Sequence, residues 1–345
     1  MSKSVAEGIG GGDRSGSGHA YLGPEDRGPD VICPAEGETV TRPIVFATDF
    51  SPISDAAMPH ALELARLWDA PLRLVHVIEA DAHGGRWLGL SEALDADVGE
   101  RVVNLLNMRR DQVADSGVTV ELVNRRGVPA DEILEELKTV NARAVVLGSH
   151  GYGGFRALFV GSVATRVVRG ADCPALMVPP KSPPPPWAGI LYPTDFSALS
   201  RESFHVAVRL AANADSVLEI FHVEIPPSSA MMAYGLDHTL VYELETDREL
   251  LDVRLGELSA LSRHKGVATT TARVLGHGPG RLIVDRAKSE GYDLIVMPAN
   301  GRRGFERFLF GSVTEAVMRR TDRPVMVLPG QTDDSTHAKP VLSAA

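Results

Sequence analysis

Apolar and polar positions along this chain alternate between two rhythms. Residues 44–47 form a short unbroken apolar run, the pattern of a strand buried on both faces. From Ser54 the apolar positions take helical spacing, at Ala57, Ala61, Leu64, Ala65 and Leu67. Pro59 falls early in that stretch, where it is tolerable only near a first helical turn. Residues 72–78 read as a second strand, 98–114 as a longer helix and 118–124 as a third strand. Helices are expected over 131–140 and 162–168, with strands at 144–147 and 175–178. The second half follows suit, with strands near Ile190, Leu218, Thr271, Leu294 and Val325. Strands alternating with helices imply α/β architecture: a doubly wound parallel sheet covered on both faces.

The halves also repeat in sequence. PIVFATDFS from Pro43 matches GILYPTDFS from Gly189, and LVHV from Leu74 matches IFHV from Ile220. GYGGFRALFVGSVAT from Gly151 matches GRRGFERFLFGSVTE from Gly301. The offset drifts only from 146 (Asp49 to Asp195) to 150 (Gly161 to Gly311). A repeat of this length is a whole domain rather than a solenoid unit. Residues 1–40 are rich in Gly, Ser, Pro and Asp and are expected to be a disordered tail. Domains are then expected over 41–180 and 188–330. A linker over 181–187 contains four consecutive prolines, which favour an extended, semi-rigid spacer. Residues 331–345 read as a loose tail.

Composition narrows the function classes. The 345 residues are 44% hydrophobic and 23% charged, as in globular proteins with a real core. A net charge of −10 argues against a sequence-independent nucleic-acid binder, which needs clustered Lys and Arg. The N-terminus has no apolar core of a secretory signal, and no apolar run of about 18 residues predicts a membrane span. Two cysteines, Cys33 and Cys173, make neither a disulfide framework nor a metal site, so a reducing cytoplasm is expected. A bridge from the tail to the domain is the alternative.

The strongest chemical signal is Gly148-Ser-His-Gly151, nine residues, then Gly161-Ser162. It follows the strand ending at Leu147 and opens a helix whose apolar face is Val163, Val167 and Val168. Such glycines let backbone N–H groups approach an anion, and a helix N-terminus adds unpaired donors and partial positive charge. Ser162 is placed to cap the helix or to donate to a phosphate. The alternative is a set of ordinary turn glycines with an ordinary cap. In sheets of this kind ligands bind beyond the strands' carboxyl ends, where strand order reverses.

The spacing G-x2-G-x9-G-S, the ATDFS and YPTDFS segments and the HV pairs resemble the ATP-binding signature of the universal stress protein family. The resemblance covers about residues 42–180 and 186–330. It implies two five-stranded parallel-sheet domains, similar in nucleotide placement to adenine-nucleotide α-hydrolases. It also implies ATP as ligand, with Mg2+ able to accompany it. By position, Ala47, Thr48 and Val77 would line the adenine, and Gly148, Gly151, Gly161, Ser162 and the Val163 N–H would hold ribose and phosphates. Asp49 would contact adenine or ribose or help hold a metal; alternatively its carboxylate caps nearby N–H groups, and both roles can coexist. His76 and His222 read as satisfied strand-end histidines, and His150 as a phosphate contact or a solvated loop residue.

The second half departs from the signature. Asn300-Gly301, nine residues and Gly311-Ser312 are intact, but Pro298 replaces the first glycine and has no N–H to donate. Arg302 and Arg303 add positive charge. Pro193, Thr194, Asp195, Val223, Gly301, Gly311 and Ser312 are its candidate contacts, at lower affinity. Family members usually dimerise through the last strand of the domain. Residues 175–178 and 325–328 would satisfy that contact within one chain as a pseudo-two-fold pair, and a homodimer of the tandem unit remains compatible.

No nucleophile–base pair, His/Cys metal cluster or Gly-Lys-Ser/Thr loop is present, so no catalytic residue is assigned. Three functions fit: a nucleotide-responsive signalling or stress-adaptation module, a slow ATPase or other adenine-nucleotide enzyme, and an interaction module stabilised by nucleotide. A phosphate cradle without catalytic groups favours the first.

Overall fold

The computed structural model describes residues 42–79, 91–149, 160–226, 238–299 and 311–330, with side chains from 98 in the second helix and from 248 in the sixth. The first half runs β1 (Ile44–Ala47), α1 (Pro52–Leu67), β2 (Leu72–Glu79), α2 (Ser91–Gln112), β3 (Val120–Gly127), α3 (Pro129–Thr139), β4 (Ala144–Gly148), α4 (Ser162–Gly170) and β5 (Ala175–Val178). The second half repeats it as β6 (Gly189–Pro193), α5 (Ala198–Asn213), β7 (Val217–Glu224), α6 (His238–His264), β8 (Thr269–Leu275), α7 (Pro279–Ser289), β9 (Leu294–Pro298), α8 (Ser312–Arg320) and β10 (Val325–Leu328).

The ten strands among the described residues join one sheet in the order β3-β2-β1-β4-β5-β10-β9-β6-β7-β8. Pairing is parallel within each half. The halves meet through β5 and β10, which run antiparallel with Leu176 opposite Met326. The expected pairing of the two last strands within one chain is therefore present. Because that seam is antiparallel, the strands' carboxyl ends, and any site built on them, point in opposite directions in the two halves.

Apolar runs read both faces of the sheet. Ile44, Phe46, Leu72 and Leu74 face α1 and α2, in a cluster that continues across the seam to α5 and α6 through Leu176, Met326, Phe204 and Leu255. Val45, Val145 and Met177 face α3 and α4, in a second cluster that continues to α7 and α8 through Ile295 and Val317. Burying both faces explains why these strands show runs rather than alternation.

Some local expectations need correction. Pro59 is the eighth residue of α1 and lies inside it, not in its first turn. Its ring is exposed, so the Asp55 carbonyl that it cannot bond lies on the side water can reach. Trp187, assigned to the linker by its surroundings in sequence, is fully buried. Its indole N–H donates to His60 Nδ1 on α1 at 3.3 Å, and its carbonyl accepts from the Ser216 hydroxyl of the second half. Asn213 on α5 adds a bond to the Leu67 carbonyl at 2.9 Å. Cys173 carries a free buried thiol whose pKa burial pushes up to about 12. Cys33 and both tails lie outside the described residues.

Candidate functional site

Strand order reverses between β1 and β4, since β2 and β3 lie on one side of β1 and β4 and β5 on the other. A crevice at their carboxyl ends follows from that topology. Its first wall is the turn from β1 into α1. Thr48 Oγ1 accepts from the Phe50 N–H at 3.0 Å and bonds the Ser54 hydroxyl at 3.0 Å. Asp49 Oδ1 accepts from the Ser51 N–H at 3.0 Å, and Ser51 Oγ caps α1 by accepting from Ser54 N–H at 3.2 Å. Asp49 therefore does cap a neighbouring N–H. Its second carboxylate oxygen has no hydrogen-bond partner among the described residues, which leaves an acceptor at the crevice.

The opposite wall is β4 and the start of α4. Ser149 N–H donates to the Val178 carbonyl at 2.9 Å, and Gly161 N–H donates to the Ser149 carbonyl at 2.7 Å. The second bond joins residues on either side of 150–159, and the first ties the end of β4 to β5; Gly151 and His150 lie outside the described residues. A Cβ on Gly148 would lie 3.1 Å from Ile53 Cγ2 and 3.3 Å from the Ile53 carbonyl carbon. Glycine there lets the first turn of α1 close on the end of β4.

The expected cap by Ser162 is not formed. Gly161 is the N-cap, with φ −57° and ψ 149°, and no side-chain cap bond is made. Ser162 is the first helical residue, exposed, with its hydroxyl outside capping geometry. Among the described residues, no side chain competes for the N–H groups of the first turn of α4, Val163 included. Ala47, Val77 and Val163 all lie on the face covered by α3 and α4, packed against one core cluster. The structure so brings Ala47, Thr48, Asp49, Val77, Gly148, Gly161, Ser162 and Val163 to one end of the first half.

His76 and His222 are satisfied, as expected, but they lie inside β2 and β7 rather than at the strand ends. Their Nδ1 atoms lie 2.8 Å from the carbonyls of Thr48 and Thr194. Burial lowers the His76 pKa against the opposing pull of the Thr48 bond and the Asp49 charge.

The second half reproduces the first turn. Thr194 Oγ1 bonds the Ser200 hydroxyl at 2.8 Å and accepts from Phe196 N–H at 3.1 Å, and Asp195 Oδ1 accepts from Ser197 N–H at 3.0 Å. Gly311 N–H donates to the Ala299 carbonyl at 3.0 Å, and Gly311 caps α8 without a side-chain bond from Ser312. The difference lies in the sheet. β1 and β4 pair at four positions, from Ile44–Ala144 to Ala47–Leu147. β6 and β9 pair at two, Ile190–Leu294 and Leu191–Ile295. Pro193 and Pro298 stand where the first half has Ala47 and Gly148, and neither can donate to a ladder, so the pairing stops short on the crevice side. Pro298 is held instead by β10 and by the Thr314 hydroxyl, which donates to its carbonyl at 3.0 Å. Val223 keeps its place beside the same core, while Asn300, Gly301, Arg302 and Arg303 lie outside the described residues.

Sequence reasoning missed Phe50, Phe196 and Ile53, which shape these turns. The repeated Phe of TDFS was the available signal. Among the described residues, no three His, Cys, Asp or Glu side chains gather as a metal-binding group. No helix among them is long and apolar enough to cross a membrane.

The profile of the universal stress protein family matches residues 41–179 and 188–329. Universal stress protein Rv2005c of Mycobacterium tuberculosis is 30% identical over 302 residues, covering 82% of this chain and 96% of that one. Universal stress protein MJ0531 of Methanocaldococcus jannaschii is 32% identical over 147 residues, 41% of this chain and 84% of its own. A universal stress protein from Archaeoglobus fulgidus DSM 4304 shares the fold, with a TM-score of 0.59 at 18% identity over 85% of this chain and 98% of that one. Matched in both halves and along most of its length, the chain belongs to the universal stress protein family.

Proposed function

We propose that the first half binds ATP across the carboxyl ends of β1 and β4, and that the protein is a nucleotide-responsive signalling or stress-adaptation module without a committed reaction. One observation carries this reading: α4 begins at the strand-order reversal with, among the described residues, no side chain capping its first turn. Such a terminus favours a phosphate through unpaired N–H groups and the helix dipole. Ala47, Thr48 and Val77 would line the adenine. Asp49 would accept from a ribose or adenine donor with its unused oxygen. Gly148, Gly151, Gly161, Ser162 and the Val163 N–H would hold ribose and phosphates, and Mg2+ would enter with the triphosphate. The second half would bind more weakly through Thr194, Asp195, Val223, Gly301, Gly311 and Ser312, because Pro193 and Pro298 remove two backbone donors. A cytoplasmic location fits a ligand of this kind.

Mass analysis of nucleotide released from the purified, denatured protein tests the reading, together with calorimetric titration of nucleotide-free protein. ATP recovered or bound supports it. Neither recovery nor binding of any adenine nucleotide overturns it. Phosphate release from ATP that falls on Asp49→Asn would favour the slow-enzyme alternative over signalling.

A further inference from the structure

Where β1 and β6 end, each half bends through a conformation that aromatic residues rarely adopt. Phe50 and Phe196 both have φ of 59°, left-handed backbone. A bulky L-residue stays there only where its surroundings hold it. The threonine two residues before accepts the phenylalanine N–H, and in each half a histidine packs on the ring. The His76 ring stacks on Phe50 with centroids 4.4 Å apart, and the His222 ring meets Phe196 at 4.7 Å. Each histidine also bonds, through Nδ1, the carbonyl of the threonine two residues before that phenylalanine, at 2.8 Å in both cases. A carbonyl only accepts, so Nδ1 carries the proton and the tautomer is fixed.

Packing alone does not call for histidine here. An aliphatic side chain would fill the same face without the cost of desolvating an imidazole. The bond to the threonine carbonyl is what the residue type explains, and it occurs at the same 28-residue separation in both halves. That carbonyl belongs to the peptide joining Thr48 to Asp49. The aspartate is therefore flanked by two held points, the Thr48 carbonyl before it and the Phe50 ring after it.

We propose that His76 is a positioning residue for the nucleotide: by donating Nδ1–H to the Thr48 carbonyl and covering the Phe50 ring, it fixes the peptide from which Asp49 projects into the crevice. His222 holds Asp195 in the same way. The inference rests on the reading of the first half as the ATP site. Orientation of a contacting group within a few tenths of an ångström is what such a clamp contributes to binding.

Two polar variants of the full chain separate positioning from mere support. His76→Asn keeps an N–H donor close to where Nδ1 stood. His76→Gln is one methylene longer and puts its amide where Nε2 stood, away from the carbonyl. ATP is titrated calorimetrically into wild type and both variants, with thermal midpoints measured alongside. His76→Gln should weaken binding about ten-fold and His76→Asn should stay within about three-fold of wild type. Equal affinities for the two variants would overturn the proposal, as would a lowered midpoint in His76→Gln with unchanged affinity, which marks a structural clamp only. Wild type failing to bind ATP would instead remove the nucleotide reading on which the proposal stands.

Discussion

Replacing His60 with asparagine should remove a block of acid sensitivity from the junction between the halves. His60 is 1% exposed on α1, and its Nδ1 accepts the Trp187 indole N–H at 3.3 Å. Burial lowers its pKa from 6.5 to about 4. The folded protein therefore keeps the ring neutral while the unfolded chain takes up a proton first. A folded pKa below the unfolded one means that this stability is complete above about pH 6.5 and is lost as pH falls toward 4. Each pH unit between the folded and unfolded pKa is worth about 1.4 kcal/mol, so the full loss is about 3 kcal/mol, with about 2 kcal/mol gone between pH 7 and pH 4.5. Domains are stable by only about 5–15 kcal/mol, so the effect is readable. Urea unfolding of wild type and His60→Asn at both pH values gives the difference directly. His76, also lowered by burial, is present in both proteins and cancels. Wild type should lose about 2 kcal/mol more than the variant on acidification. Parallel pH profiles would refute a buried, neutral His60.

Other substitutions probe the same frame. Trp187→Phe keeps an aromatic ring but removes the donor to His60, and should cost about 1–3 kcal/mol in urea at pH 7; an unchanged midpoint would show that the bond contributes nothing. Glu219 is 3% exposed and takes both bonds from Arg286, at 2.8 and 2.7 Å. Glu219→Gln should lower the thermal midpoint through a loss of about 2–3 kcal/mol, and a change of less than a degree would contradict that pairing. Gly161→Val should abolish ATP binding in the first half. The backbone at φ −57° accepts valine, so the side chain acts by occupying the space above the first turn of α4; unchanged affinity with an intact circular dichroism spectrum would remove Gly161 from the site.

The sequence was most legible where punctuation and pattern agreed. Strands 44–47, 175–178 and 325–328 are short apolar runs bounded by proline or by the TDFS turn, and the repeat confirmed each by its partner. The β1 turn was legible for the same reason, because Asp49 and Asp195 recur in one setting. The start of α2 at Ser91 was not, since its first turns lack an apolar stripe, and the spacing became helical only near Val98. The left-handed backbone at Phe50 was not legible, because an aromatic residue rarely adopts it and the ring that packs on it, His76, comes from another strand. The contact of Trp187 with His60 spans 127 residues and depends on how the halves face each other, which no window of sequence contains. The Ser162 cap failed for a smaller reason: the helix starts one residue too early for that hydroxyl to turn back on it. The shortened β6–β9 ladder could have been foreseen, since Pro193 and Pro298 stand at the crevice ends of neighbouring strands.

Calorimetric titration of ATP into wild type and Pro298→Gly measures the number of sites per chain and their affinities. Loss of a backbone bond to a charged phosphate is worth about 1.5–3 kcal/mol, or about ten- to hundred-fold in affinity. Wild type should therefore show close to one tight site per chain, with the second weak or empty, and Pro298→Gly should strengthen the second. No binding, or two equivalent tight sites in the wild-type chain, would contradict the assignment of the first half as the nucleotide site and of its repeat as a weakened copy.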